Sequence, residues 1–164
     1  MTLSSTRELA ILSALAAGFA LGLAEASEHW GGLVPCALCL LERWPYRVAI
    51  VLSLVAAVVP RPFDRGLLML VVLTMLVSAA LAVVHVGVEL HFWPSPLPEC
   101  AAPRFSGGTV AERLAAMPAR PAKPCDEPTF PIPGLPVSLA GFNLLYALAF
   151  AAGLAMSIRG RQEQ

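Results

Sequence analysis

Charge is what this sequence has least of. Only 13% of its 164 residues are Asp, Glu, Lys or Arg, and eleven basic side chains cancel eleven acidic ones. The basic residues are spread along the chain without forming a patch, so the electrostatic footprint of a nucleic-acid binder is missing. Hydrophobic residues make up 57% and mean hydropathy is +0.72. A soluble domain, with about half its residues apolar and about a quarter charged, is excluded by that balance. Cysteine is scarce too, but the four present are an even number and fit two pairs. A zinc site needs about four convergent Cys or His ligands. Cys36, Cys39, Cys100 and Cys125 supply the number, yet the second pair is not spaced as a ligand knuckle, and an oxidising compartment works against four free thiols. No metal is expected. Haem is disfavoured because His29 and His91 fall in loops, not facing each other inside a bundle.

What is abundant is apolar sequence in membrane-length runs, and one domain is the default for this length. The first run, 9–26, has 18 residues and would rise roughly 27 Å as a helix, close to the ~30 Å of a hydrocarbon core. A rival reading is a cleaved signal peptide, with Arg7 ahead of the run and Ala24-Glu25-Ala26 as the cleavage site. Against it, the run is long for a signal peptide and Glu8 sits beside Arg7. The uncharged part of the second run, 48–59, gives only roughly 18 Å of helix. To span, this helix must begin near Cys36, with Pro35 as a helix starter. Glu42, Arg43 and Arg47 are thereby forced into the outer part of the bilayer, where ionisable residues pair, snorkel or serve a site. Glu42 and Arg43 are adjacent and do not share a helix face, whereas Cys39 and Arg43 do. Anchoring to lipid phosphate is the plainer reading of Arg43 and Arg47. Pro45 either kinks the span or marks its start.

A tight Pro60–Gly66 connection leads to a third run, 67–90, in which His85 and Glu89 share a face. They are either a buried proton-handling pair or solvated at the interface. The loop 91–136 holds 11 of the 15 prolines and is mostly irregular. Within it, Thr109-Val110-Ala111-Glu112 reads as a capping box opening a short amphipathic helix, with Val110, Leu114 and Met117 on one stripe. The fourth run is 137–158, with Asn143 and Tyr146 near its outer end. The expected fold is an all-α membrane protein: a four-transmembrane-helix bundle, residues 1–164, with a long extracytoplasmic loop carrying that short helix. Four spans put both termini on one side, flanked by Arg7, Arg61, Arg65, Arg159 and Arg161, and the positive-inside rule makes that side cytoplasmic. Every cysteine, Trp and His then lies at the opposite, oxidising end.

Pro35-Cys36-Ala37-Leu38-Cys39 is the stretch around which the rest is arranged. A CxxC at a helix start suits reversible dithiol–disulfide chemistry, because the two sulfurs can meet and the helix N-terminus favours the thiolate. Structural disulfides alone would staple the loop, but would not explain a CxxC with an arginine one turn inward. The favoured reading is a relay. A mobile loop disulfide meets a soluble dithiol, and the CxxC at the membrane edge passes two electrons to a lipid-soluble acceptor, the two pairs lying at different depths.

PCALCLLER, WPSPLPEC and Cys125-Asp126-Glu127 before the fourth run resemble the disulfide bond formation protein B (DsbB) family over essentially the whole chain. The resemblance implies a bacterial inner-membrane enzyme that reoxidises a periplasmic, thioredoxin-fold DsbA-like protein and reduces a membrane quinone, ubiquinone ahead of menaquinone. By motif, Cys100 is the cysteine attacked by the reduced partner and Cys125 its loop companion. Electrons then pass to Cys36–Cys39, Cys39 faces the quinone, and Arg43 stabilises negative charge on the quinone oxygen. His85, with Glu42 and Arg47, is a further candidate by position alone. The alternatives are a family member serving a dedicated partner other than DsbA, one running in reverse as a reductase, and a non-enzymatic bundle with structural disulfides.

Overall fold

The computed structural model describes residues 6–100, 109–115, 123–132 and 134–161. Five helices account for most of them: α1 (Thr6–His29), α2 (Ala37–Val58), α3 (Phe63–Glu89), the short α4 (Val110–Ala115) and α5 (Leu139–Arg159). No strand occurs among the described residues. Helices α1, α3 and α5 are long and apolar enough to cross a membrane. Helix α2 has the length, 22 residues or about 33 Å, and carries Glu42, Arg43 and Arg47.

The helix ends follow from local chemistry. Helix α2 is capped by Cys36 itself, whose Sγ accepts the Cys39 N–H at 3.2 Å. Pro35 therefore lies one residue outside the cap and is not the first helical residue. The helix runs unbroken through the buried Pro45, so no start is marked there. Ser138 caps α5 in the same way, accepting from Gly141 N–H at 3.1 Å. Helix α3 closes on a left-handed residue, His91 at φ 59°. The His91 N–H donates to Val88 C=O and the Phe92 N–H to Gly87 C=O, a Schellman arrangement that satisfies the last carbonyls. The capping box before α4 is formed: Thr109 N–H donates to Glu112 Oε2 and Glu112 N–H to Thr109 Oγ1. The Thr109 N–H and hydroxyl both donate to Oε2 and hold the Glu112 carboxyl below its ordinary pKa. Met117, the end of the expected amphipathic stripe, lies outside the described residues.

The bundle packs in chain order, α1 on α2, α2 on α3 and α3 on α5, while α1 and α5 barely touch. Its interior is lined by small residues. Ala10, Ala17, Ala49 and Ala56 are buried with Ala79, Ala82, Ala147 and Ala151, and the larger Leu68, Val71 and Met75 fill the middle. Leu15, Phe19, Val51, Leu73 and Met156 point outward. This is the membrane solution: lipid is as apolar as leucine, so helices associate through close backbone approach over small side chains. Where α1 and α5 part, a gap opens at the cysteine end of the bundle.

Candidate functional site

Capping places Cys36 at the lip of α2 and Cys39 one turn in, with their sulfurs 2.7 Å apart and not bonded to each other. Cys36 is 3% exposed and Cys39 half-buried. Cys100, at the end of a turn over Pro98–Cys100, is disulfide-bonded to Cys125. That disulfide is not held out in the loop. Cys100 and Cys125 are buried in one apolar cluster with Cys36, Leu38 and Val88, and Leu97 and Cys39 pack against it. The loop pair, expected at a different depth from the CxxC, packs directly against it: proline-rich chain after α3 folds back over the start of α2 and brings the two pairs into one cluster.

Behind the CxxC lies a buried polar chain. The Cys36 thiol faces His85 Nε2 at 3.4 Å. His85 Nδ1 is 2.9 Å from Glu42 Oε1, Asn143 Nδ2–H donates to Glu42 Oε2 at 2.9 Å, and Tyr46 O–H donates to Asn143 Oδ1 at 2.6 Å. One assignment satisfies every atom: His85 donates from Nδ1 and presents the Nε2 lone pair to the Cys36 thiol. His85 is thus the partner of Glu42 and not of Glu89, which accepts a hydrogen bond from the Ser138 hydroxyl. The i,i+4 spacing placed His85 and Glu89 on one face, but α2 and α5 each supply a nearer group.

Arg43 turns the other way, toward α1. Its Nη1 lies 3.1 Å from Glu25 Oε1 and 2.7 Å from Glu28 Oε2, and its Nη2–H donates to the Ala24 carbonyl. Arg47 reaches the same Glu25 at 3.5 Å and lies over the Trp44 ring. These contacts require α1 to continue through Ala24-Glu25-Ala26, and it does so without a break to His29, which belongs to the helix and not to the loop.

The gap between α1 and α5 is a cavity of about 710 Å³. Its walls are mostly apolar, from Phe19, Leu23, Ile132, Leu139 and Leu145 among others, and it reaches Cys39, Glu42, Arg43, Tyr46, His85 and Asn143. Cys36 is not on its wall. An apolar cleft of this size with a few convergent polar groups is the form of a small-molecule site.

The sequence model of the family described as Disulfide bond formation protein DsbB matches residues 6–157. This chain belongs to the DsbB family. An uncharacterized protein of Rickettsia prowazekii (strain Madrid E) is 31% identical over 128 residues, covering 77% of this chain and 72% of that protein. No solved structure matches the chain. DsbB proteins are generally thiol oxidoreductases and typically use a quinone, and their four-helix membrane fold is the one described above.

Within this DsbB chain, the expected residues Cys39, His85 and Arg43 line one cavity, and Cys36, in contact with Cys39 and His85, packs on its other side with Cys100 and Cys125. Reading residues alone gave no role to Glu25, Glu28, Tyr46 or Asn143. Their signal was present as polar side chains inside apolar helices, which need partners. Which partners they would find was not legible without the packing.

Proposed function

We propose that this protein is a membrane thiol–disulfide oxidoreductase that takes two electrons from an extracytoplasmic DsbA-like dithiol and delivers them to a membrane quinone, ubiquinone or menaquinone. The observation that carries the reading is the division between the two CxxC cysteines. Cys36 packs in the cluster of the Cys100–Cys125 disulfide, and Cys39 lines the apolar cavity.

The exchange steps move one disulfide from the Cys36–Cys39 pair to the partner. A partner thiolate attacks Cys100 Sγ, breaking the Cys100–Cys125 bond and releasing Cys125 as a thiolate. Because Cys100 is 4% exposed, the segment carrying it must lift from α2 for this step. Cys125 then attacks the Cys36–Cys39 disulfide at Cys36, forming a Cys36–Cys125 bond and releasing Cys39 as a thiolate on the cavity wall. The second partner thiol resolves the bond to Cys100, leaving the partner as its disulfide. Cys100 then resolves the Cys36–Cys125 bond, restoring the loop disulfide and leaving Cys36 and Cys39 as the reduced pair. His85 Nε2 is placed to take the Cys36 proton, and Glu42, held by Asn143, fixes that ring.

The residues fit a quinone: the cavity is apolar, has the volume for a ring and part of a tail, and carries donors at its inner wall. Bound there, a quinone supplies a two-electron, two-proton acceptor. Arg43 is the residue that would hold it, through a guanidinium already fixed by Glu25 and Glu28; His85, the other expected quinone residue, has an N–H to offer only once its Nε2 has taken the Cys36 proton.

The test is quinone reduction by the purified protein given reduced DsbA-like protein. Turnover is expected for the native chain and none for Cys39→Ser. Turnover surviving that change sinks the relay. Reduction with a DsbA-like protein but not with a small dithiol would favour a dedicated docking step over simple thiol access.

A further inference from the structure

Cys36 Sγ, Cys39 Sγ and His85 Nε2 all lie within 4.8 Å of one another, and such a trio is a ligand set as well as a redox site. We propose that, in the dithiol state, Cys36, Cys39 and His85 form a binding site for a borderline-soft divalent cation of the zinc class, and that its occupation withholds the dithiol from oxidation.

The distances suit a tetrahedral ion. With metal–sulfur bonds of ~2.3 Å and metal–nitrogen bonds of ~2.0 Å, neighbouring ligand atoms stand about 3.5 to 3.8 Å apart. Cys36 Sγ and His85 Nε2 are already 3.4 Å apart. The two sulfurs, at 2.7 Å, must open by roughly 1 Å to reach that spacing. A rotation of the Cys39 side chain, which borders open cavity, provides it. A three-ligand set of two thiolates and one imidazole leaves a fourth position open to water, as catalytic zinc sites do.

The surrounding groups favour the same ion. His85 Nδ1 is committed to Glu42, which leaves the Nε2 lone pair directed at the sulfurs. A carboxylate behind a histidine is the arrangement that orients metal-bound imidazoles, and here Asn143 in turn orients the carboxylate. Charge also closes. Binding releases two thiol protons, and two thiolates with one divalent cation sum to zero, so no net charge is added to a pocket where Cys36 and His85 are 3% and 2% exposed. The disulfide form cannot bind, because its sulfurs no longer offer thiolate electrons. Metal and oxidation therefore exclude one another. A second group, Glu25, Glu28 and His29, is more exposed, and its carboxylates are engaged by Arg43.

Such a site would depart from the expectation of no metal drawn from cysteine spacing. The four cysteines do not make the site. The third ligand is a histidine from α3 that the fold brings to the CxxC.

Binding is tested without turnover. Full-length protein carrying Cys100→Ser and Cys125→Ser, freed of quinone and reduced with a phosphine, is titrated with Co²⁺. Expected are thiolate-to-cobalt charge-transfer absorption and the intense visible bands of a tetrahedral ion, saturating at one equivalent and displaced by Zn²⁺. His85→Ala and Cys39→Ser should lose those bands, and Glu42→Gln should weaken affinity about 10- to 100-fold. Absence of the bands, or bands unchanged in His85→Ala or Cys39→Ser, overturns the site. So does equal binding by protein whose Cys36–Cys39 pair has been oxidised. The inhibitory half rests on the redox function proposed above. One equivalent of Zn²⁺ added to the pre-reduced native protein should stop quinone reduction, and a chelator should restore it. Full turnover with zinc bound overturns that half. No turnover even without metal refutes the redox reading instead, and the cobalt titration still decides the site.

Discussion

Glu42 and Arg43 are neighbours in the chain, opposite in charge, and paired with entirely different groups. One step along a helix turns a side chain by about 100°, and that rotation separates two electrostatic environments. On the Glu42 face, toward α3 and α5, Cys36, His85, Glu42 and Tyr46 are buried, Asn143 is half-buried, and the five are joined one to one. On the Arg43 face, toward α1, two carboxylates and two guanidiniums share contacts less selectively, and Glu25 and Arg47 are partly open to solvent. The first arrangement specifies geometry, and the second balances charge beside the cavity. Removing a member of the first should leave buried orphans, whereas removing a member of the second leaves groups that water or lipid headgroups can reach.

The largest effect is therefore expected at the centre of the buried chain. Glu42→Ala takes the acceptor from both His85 and Asn143 at once, and should cost about 3 kcal/mol of stability. Thermal unfolding of the detergent-solubilised protein measures it. Glu42→Gln, which keeps one acceptor, should recover more than half of the loss. If Glu42→Ala costs no more than Arg43→Ala, the contrast between the two faces is broken.

Asn143 sharpens the contrast from the far helix. Asn143→Leu keeps the branched outline but removes the donor to Glu42 and the acceptor for Tyr46. A loss of about 2 kcal/mol is expected, and it should be strongly non-additive with Glu42→Gln in a double-mutant cycle. Additive effects would mean that the two side chains do not act through one hydrogen bond.

How much of this was legible without coordinates differs between the two faces. The length of α2 placed Glu42 and Arg43 at membrane depth, and helical spacing put Cys39 and Arg43 on one side, where both do border the cavity. The four-helix fold followed from apolar run lengths, because hydropathy and backbone satisfaction leave a membrane chain few options. Partners across helices did not follow. His85 has a same-helix candidate four residues away, yet Glu42, distant in sequence, takes it. Only the mutual rotation of α2 and α3 decides between them. Likewise nothing local in Glu25 or Glu28 points to Arg43, and the seating of Cys100–Cys125 against Cys36 depends on how an irregular, proline-rich segment folds back. The alanines that line the interior were visible only as apolar residues. Their small size, which sets how closely the helices approach, acquires meaning once the packing order is known.

On the α1 face the expected energies are smaller and the functional readout larger. Arg43→Ala should cost about 1 kcal/mol: the guanidinium is itself buried, but the carboxylates it leaves behind are partly open to solvent and can rehydrate. With the fold intact, it should raise the apparent quinone KM, because the guanidinium stands at the cavity wall beside Cys39. An unchanged KM would assign Arg43 to holding α1 against α2. Glu25→Gln with Glu28→Gln offers the converse. Freed of its carboxylates, Arg43 keeps its charge but loses its position, so the KM should again rise.

Arg47 gives the smallest effect and the sharpest test of whether the α1 face works as one unit. Its contact to Glu25 is long at 3.5 Å, its side chain is 45% exposed, and the guanidinium lies 5.3 Å from the centre of the Trp44 ring. Arg47 is absent from the residues bordering the cavity, whereas Arg43 is present. Arg47→Ala should therefore change stability by less than about 0.5 kcal/mol and leave the quinone KM unchanged. The small loss should shrink further when ionic strength is raised, since exposed charges are screened over about 8 Å at physiological salt. A KM rise comparable to that of Arg43→Ala would show that both guanidiniums act on the cavity through Glu25. The relevant object would then be the whole cluster of four charges, and Arg43 could no longer be singled out by its place on the wall.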